Sequence, residues 1–187
     1  MHAEGPESNE YTTLLRRIAA GSEQALSELY QAFHSSVYAF ALKLLKDPVD
    51  AAEILNEVML EVWRCAKRFE GRSKARTWVM GIAHHKIVDQ LRKRGRYKTE
   101  EIDPNIPDEK SSVVLDAIVS AENAKFIQRC MEKLSDAHSQ VVHLTFFEDL
   151  SYPEIAQILN CPLGTVKTRM FHAKQLLKKC LGRLMKQ

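Results

Sequence analysis

Apolar residues recur three and four positions apart along most of the chain, which is the period of helices with one buried face. Asp47 and Pro48 mark the start of one helix, because Asp is a good N-cap and Pro is tolerated in the first helical turn. Ser22 is the expected N-cap of the helix before it. The helices predicted for the first half are Tyr11 to Ala20, Ser22 to Leu45, Asp47 to about Phe69, and one that buries Val79, Ala83, Ile87 and Leu91.

The last part of the chain has the pattern of two helices separated by a short turn. Ser151 and Glu154 have the spacing of a capping box, so a helix begins here. Residues 160–162 end it, and a second helix begins within residues 163–165. The predicted buried stripe of the second helix is Val166, Met170, Ala173 and Leu177. This arrangement is typical of a DNA-binding helix-turn-helix, and the plainer interpretation is a solvated amphipathic pair in a bundle.

A polar segment separates the two groups of helices. Residues 99–112, TEEIDPNIPDEKSS, include five acids and two prolines and show no periodic apolar pattern. This segment is either a solubilising spacer or a weak mimic of nucleic acid. The chain has seven glycines and six prolines and lacks long alternating Val/Ile/Thr runs. The predicted fold is all-α, with two small helical domains joined by an acidic flexible linker: a disordered tail 1–10, a first domain 11–98, a linker 99–114 and a second domain 115–187.

Positive charge is concentrated in two blocks, although the net charge of +3 is modest. Residues 64–98 contain twelve basic residues against two acidic ones, and the chain from Cys161 onward contains seven basic residues and no acidic one. Such blocks are typical of phosphate-binding surfaces. Trp78, His85 and Arg92 line up on one side of their helix. The tryptophan there either belongs to the core or stacks on an unpaired base.

The third predicted helix has an acidic face opposite its apolar one. That face contains Glu53, Asn56, Glu57, Leu60 and Glu61. It is either simply solvated or a docking surface for a basic partner helix.

Several classes of protein and site are disfavoured. The first ten residues have no apolar core, so neither a signal peptide nor a membrane span is expected, and a cytoplasmic location follows. No cofactor or metal site is expected: the four cysteines form no C-x-x-C pair, and the adjacent His84 and His85 point to different sides of a helix. An enzyme is therefore not expected. The cysteines are expected to be reduced and mostly buried, with redox sensing as the alternative.

Three motifs in order resemble those of a bacterial extracytoplasmic-function (ECF) sigma factor, a group of the sigma-70 family. DAAEILNEVMLEVW (50–63) is similar to the segment that docks on the clamp helices of core RNA polymerase. FEGRSKARTWVMGIAHHKIVDQLRKR (69–94) is similar to the segment that melts the promoter and recognises the minus-ten element. EDLSYPEIAQILN with GTVKTRMFHAK is similar to the fourth region, which recognises the minus-thirty-five element.

The resemblance implies a role for each motif and for particular residues. It implies an alternative sigma factor that binds core RNA polymerase and promoter DNA, both as duplex and as melted non-template strand, and that an anti-sigma factor holds inactive. The implied polymerase-binding residues are Glu53, Asn56, Glu57 and Leu60. The implied minus-ten residues are Phe69, Arg72, Ser73, Lys74, Arg76, Trp78, His85, Arg92, Lys93 and Arg94. The implied minus-thirty-five residues are Thr165, Lys167, Thr168, Arg169, Phe171, His172 and Lys174.

Four positions depart from the family's usual residues, and other functions compete with this one. The family commonly has Asn at His85, Arg at His172, Pro at Ser135 and Arg at Ser139. Because histidine cannot make arginine's bidentate contact to guanine, these changes bear on which promoter is recognised. A dimeric regulator would bind palindromic DNA without polymerase, an RNA-binding module would prefer RNA, and a metalloenzyme would need a ligand cluster.

Overall fold

A computed structural model describes residues 6–95 and 124–184 of the chain. These residues form helices with no strand among them, and they fall into two compact units. The first unit contains α1 (Pro6–Ala19), α2 (Glu23–Leu45), α3 (Pro48–Cys65), a short 3-10 turn (Ala66–Arg68) and α4 (Ala75–Lys93). The later helices are α5 (Ala124–Met131), α6 (Asp136–Phe146), α7 (Tyr152–Leu159) and α8 (Leu163–Leu184). The second unit contains α5, α6, α8 and the part of α7 up to Ala156. The all-α prediction is confirmed, and the predicted linker lies outside the described residues.

The first unit is a bundle in which α2, α3 and α4 pack on one another and α1 packs on α2 and α4. Its centre is formed by side chains with no solvent exposure, and Leu29, Phe33, Phe40 and Ile87 among them are at predicted positions. Among the largest are Leu15, Leu29, Phe33, Phe40, Met80 and Ile87. Burial of each side chain of this size stabilises the fold by roughly 1.5–3 kcal/mol before the entropy of ordering it is subtracted.

The caps predicted in this unit are present. The Oγ of Ser22 accepts a hydrogen bond from the backbone N–H of Ala25 at 3.2 Å. The Oδ1 of Asp47 accepts bonds from the N–H groups of Val49 at 2.8 Å and Asp50 at 3.2 Å, with Pro48 as the first helical residue. These bonds satisfy donors that have no partner inside a helix, so α2 and α3 begin where the sequence predicts.

Two boundaries differ from the prediction. The tail was predicted to reach residue 10, but α1 begins at Pro6, because proline is tolerated in a first turn and the helix can extend beyond the apolar pattern. The α3 helix was predicted to reach Phe69, but it ends at Cys65 and continues as the 3-10 turn. Such tightening is common at helix ends.

The α7 and α8 helices form the helix-turn-helix. The carboxylate of Glu154 accepts a hydrogen bond from the backbone N–H of Ser151 at 2.9 Å, as the capping-box spacing predicts. Asn160 follows the end of α7 with a φ of 48°, a left-handed conformation that turns the chain toward α8. The α8 helix packs on α5 and α6. Its fully or almost fully buried stripe is Val166, Met170, Ala173 and Leu177, as predicted.

The state of two cysteines corrects the sequence prediction. Cys130 of α5 and Cys180 of α8 form a disulfide, with Cα atoms 5.8 Å apart. All four cysteines were predicted to be reduced, because their spacing shows no pair. The pairing arises from tertiary packing: α5 and α8 lie together, so residues 50 positions apart reach bonding distance. Cys65 and Cys161 are free thiols, and each is half-buried.

Candidate polymerase-docking and DNA-binding surfaces

One face of α3 is exposed opposite the core. Glu53 and Asn56 are exposed, Leu60 is 48% exposed, and Glu57 is half-buried at the edge. We call these four residues the docking face. An exposed leucine beside acidic and amide side chains is what a partner surface offers, although a single exposed leucine is common. Sequence reasoning missed Val49, which is 76% exposed, and the signal was an apolar residue four positions before Glu53 and outside the buried stripe.

A lysine of α4 lies beside the acidic edge of α3. The Nζ of Lys86 is 3.7 Å from a carboxylate oxygen of Glu57 and 3.7 Å from one of Glu61. The Cys65 thiol lies 2.9 Å from the other Glu61 oxygen. This hydrogen bond lowers the pKa of Glu61, opposed by partial burial, and it raises the pKa of the Cys65 thiol. The acidic face is therefore partly compensated within the unit, which the sequence pattern does not reveal.

The loop between the 3-10 turn and α4 presents cationic side chains to solvent. Arg72 and Lys74 are exposed, and Ser73 is half-buried. The Arg72 Nε lies 2.6 Å from Glu70, but both side chains are largely exposed, so this pair contributes little to stability. Phe69 packs at the base of the loop against Trp78, with ring centroids 5.4 Å apart, and both rings are half-buried. The tryptophan thus has one side against the protein and another toward solvent.

The remaining minus-ten candidates divide into exposed and internally bound side chains. His85 is exposed in the middle of α4, and Arg92 and Lys93 are exposed at its end. The guanidinium of Arg94, by contrast, donates a hydrogen bond to one carboxylate oxygen of Asp50 and forms an ion pair with the other, and Asp50 is 5% exposed.

Arg76 also lies against its own unit. Its guanidinium carbon is 5.9 Å from the ring centre of Tyr11 in α1 and 5.4 Å from that of Phe33 in α2. The family resemblance places Arg76 and Arg94 in the minus-ten set. In the structure both contact their own unit, because the helices bring a carboxylate and two rings to them.

The outward face of α8 is basic. Lys167 is exposed, and Thr168, Arg169, Phe171, His172 and Lys174 are half-buried. Thr165 is a correction to the predicted set: it is 5% exposed at the first turn of α8, where its N–H bonds to the Pro162 carbonyl. Its side chain is therefore not on the outward face. The rings of Phe171 and His172 meet edge to face at 5.7 Å.

Metal-binding clusters and membrane-spanning helices were sought among the described residues. Within residues 6–95 and 124–184, no group of three or more His, Cys, Asp or Glu side chains is placed to hold a metal ion. In the same part of the chain, no helix combines the length and apolarity needed to cross a membrane.

Comparison with known proteins identifies both units. Residues 29–97 match the model of sigma-70 region 2, and residues 127–177 match that of sigma-70 region 4. The ECF RNA polymerase sigma factor SigK of Mycobacterium bovis BCG is 31% identical over 182 residues, which cover 93% of this chain and 95% of SigK. SigK of Mycobacterium sp. strain JLS is 29% identical, with coverage of 90% and 89%.

Two solved structures share the fold. CnrH, in complex with the cytosolic domain of CnrY, has a TM-score of 0.67 at 19% identity and covers 93% of this chain and 98% of CnrH. The sigma factor RpoE from Bartonella quintana, in complex with the anti-sigma factor NepR, has a TM-score of 0.60 at 22% identity, covering 83% and 97%. The chain therefore belongs to the ECF sigma factors of the sigma-70 family, which bind core RNA polymerase and direct it to promoters.

Proposed function

We propose that the two units divide the work of a sigma factor among three surfaces. The docking face of α3 binds core polymerase, the loop and exposed side of α4 hold the melted minus-ten element, and the outward face of α8 binds the minus-thirty-five element. The observation that carries this assignment is that each surface lies opposite the buried stripe of its own helix. A surface that is not used in packing is available to a partner.

The minus-ten surface consists of an aromatic pair and exposed cations. Phe69 and Trp78 form a half-buried apolar shelf beside the loop. A base that leaves the stack would lie there, because stacking on an aromatic ring offsets unpairing, which costs a few kcal/mol. The residues that contact the melted strand are Arg72, Ser73, Lys74, His85, Arg92 and Lys93, with Arg76 and Arg94 as internal supports.

The minus-thirty-five surface reads duplex DNA from the major groove. Lys167, Thr168, Phe171 and His172 contact bases, and Arg169 and Lys174 hold phosphates. Thr165 supports the first turn of α8 from inside. Since His172 offers one donor where arginine offers two, we expect weaker discrimination for guanine at that position.

We infer the regulation and the cellular location of this protein from its family. The neighbours of known structure are complexes, one with the anti-sigma factor NepR and one with the cytosolic domain of CnrY. An anti-sigma factor that covers the docking face would keep this protein from polymerase. The protein acts in the cytoplasm, where its polymerase is, and it has no enzymatic activity of its own.

Transcription in a purified system tests the whole proposal. Core polymerase is mixed with a library of randomised promoter DNA, with and without the protein. Sequence-selective initiation that depends on the protein is expected, and the enriched DNA should contain two separated elements. Binding to a palindrome in the absence of polymerase would instead support a dimeric regulator.

A single charge change tests the docking face. Asn56→Lys places a cation in the centre of that face, and we expect the affinity for core polymerase to fall about tenfold or more. Gln31→Lys is the matched control, because it adds the same charge at an exposed position on α2. Helix content by circular dichroism should be unchanged in both. Equal polymerase affinity for the two variants would refute the docking assignment.

A further inference from the structure

A groove in the second unit lies between the start of α6 and the second half of α8. Its volume is about 530 Å³, and its lining residues are His138, His172, Gln175, Leu176, Lys178 and Lys179. Two imidazoles, two ammonium groups and an amide thus face one open space, and no carboxylate of the described residues lines it. A cluster of donors with this charge suits an anion. None of the roles assigned above uses the groove as a whole.

A hydrogen bond within α6 orients the ring of His138. The Oγ of Ser135, the N-cap of α6, accepts the backbone N–H of His138 at 3.4 Å and lies 2.9 Å from its Nδ1. Because the hydroxyl contacts Nδ1, this hydrogen bond fixes the orientation of the His138 ring. The ring of His172 lies 6.1 Å away between centroids. Both imidazoles therefore border the same part of the groove.

The groove continues the outward face of α8 beyond the residues proposed to contact bases. Thr168, His172, Gln175 and Lys179 are separated by four, three and four positions, so they lie along one side of the helix. A recognition helix that contacts bases with its first turns has its later turns beside the phosphate backbone. The position of the groove therefore matches that of a flanking phosphate.

We propose that this groove binds a single backbone phosphate next to the minus-thirty-five element, with His138 and Lys179 as its principal donors. The inference rests on the proposed function of α8. It assigns a DNA contact to α6, the helix that supports the recognition helix, and it makes Ser135 a positioning residue that orients the His138 ring. Phosphate contacts of this kind fix the register of the helix on the duplex.

Neutral backbone linkages test the contact position by position. The full chain is assembled with core polymerase on a selected promoter, and single phosphates beside the upstream element are replaced by methylphosphonates. For the wild-type protein, affinity should fall about five-fold at one flanking position at physiological salt. In Lys179→Gln and in His138→Gln that loss should be smaller at the same position, since one of the two donors is already gone. The slope of log Kd against log salt should decrease by about 0.9 in Lys179→Gln.

Lys133→Gln removes a charge from an exposed position of the same unit outside the groove, and it should keep the wild-type methylphosphonate profile. Identical profiles for wild type and both groove variants would overturn the inference, while promoter binding by all three would leave the proposed function intact. Inorganic phosphate could also be titrated against the ring signals of the groove histidines. If those signals saturate while the methylphosphonate profiles of wild type and variants are identical, the groove binds a free anion and the inference is overturned. If wild type itself prefers no promoter, the proposed function of α8 fails first.

Discussion

The two units use their basic residues differently. In the first unit, cations that the sequence places in a DNA-binding block are partly bound within the protein: Arg94 lies on Asp50, and Arg76 lies over the rings of Tyr11 and Phe33. In the second unit, α8 lies in a stretch without any acidic residue. Its association with α5 is secured by a disulfide. A count of basic residues in the first unit therefore includes cations that contact their own unit.

This difference predicts which changes affect which unit. Besides its apolar core, the first unit has ionic and cation–π contacts between helices, so removing Arg94 or Arg76 should loosen it. Besides its apolar core, the second has a covalent link between α5 and α8, so removing exposed cations should leave its fold intact. Hydrogen exchange on the full chain, resolved by peptide, measures both units in one experiment.

The largest effect is expected from removing the disulfide. The link between Cys130 and Cys180 closes a loop of 50 residues, which in the chain-entropy account stabilises the fold by about 4 kcal/mol. We expect Cys130→Ser combined with Cys180→Ser to lower the free energy of unfolding of the second unit by about 2–4 kcal/mol, without change in the first. Cys161→Ser is the control, since that thiol is free. Equal losses in both units would contradict the comparison.

Removal of Arg94 should be the next largest effect. Arg94→Ala leaves the buried carboxylate of Asp50 without its partner, and we expect the first unit to lose about 3 kcal/mol, because the arginine is a third exposed. Arg92→Ala is the matched control: its partner Asp89 is 3.6 Å away and both side chains are more than 60% exposed, so a change within about 0.5 kcal/mol is expected. A loss of promoter opening in Arg94→Ala without loss of stability would restore Arg94 to the DNA surface.

Removal of the Arg76 charge should have a smaller effect, confined to α1. Arg76→Gln keeps most of the side chain but removes the cation above Tyr11 and Phe33, which we expect to cost about 1 kcal/mol. Amide exchange in α1 should become faster while minus-ten opening stays near normal. Arg72→Gln should do the opposite, because Arg72 lies exposed in the loop. The same pattern in both variants would show that the two arginines share one role.

Local signals explain the parts that were predictable. The caps at Asp47 and Ser151 depend on residues within four positions, and the buried stripes depend on helical periodicity, so both were predicted from the sequence and are confirmed. The family resemblance was likewise carried by contiguous motifs, which the matches to regions 2 and 4 confirm. The assignment of individual DNA-binding residues stays a prediction.

Packing between distant segments explains the parts that were not. Asp50 and Arg94 are 44 residues apart, and the disulfide joins residues 50 apart. No local sequence pattern therefore predicts the ion pair or the disulfide. Thr165 illustrates a finer failure: one residue separates it from Lys167 at the start of α8, yet one is buried and the other exposed. The helical period shows which residues share one side of a helix. The packing of neighbouring helices decides which side is buried.

The smallest expected effect distinguishes the two free thiols, one in each unit. The hydrogen bond to Glu61 is the main cause that raises the pKa of Cys65, whereas burial raises the pKa of Cys161. We expect the pH profile of alkylation of Cys65, followed by mass spectrometry, to have its midpoint above the ordinary thiol value of 9.0. Glu61→Gln should move that profile to lower pH, because a neutral amide no longer repels the thiolate. The Cys161 profile in the same molecule is the control and should not move.

The pKa shifts of Glu61 and Cys65 make the stability of the first unit depend on pH. The pKa of Glu61 is lowered in the folded protein, so its contribution is present above the ordinary carboxyl value of 4.5 and is lost as the pH falls through the lower folded value. The pKa of Cys65 is raised, so its contribution is present below 9.0 and is lost as the pH rises through the folded value. Both effects belong to the first unit, and Glu61→Gln should remove them there alone. A shift in both thiol profiles would mean that Glu61 acts beyond the first unit, and the independence of the two units assumed in these predictions would fail.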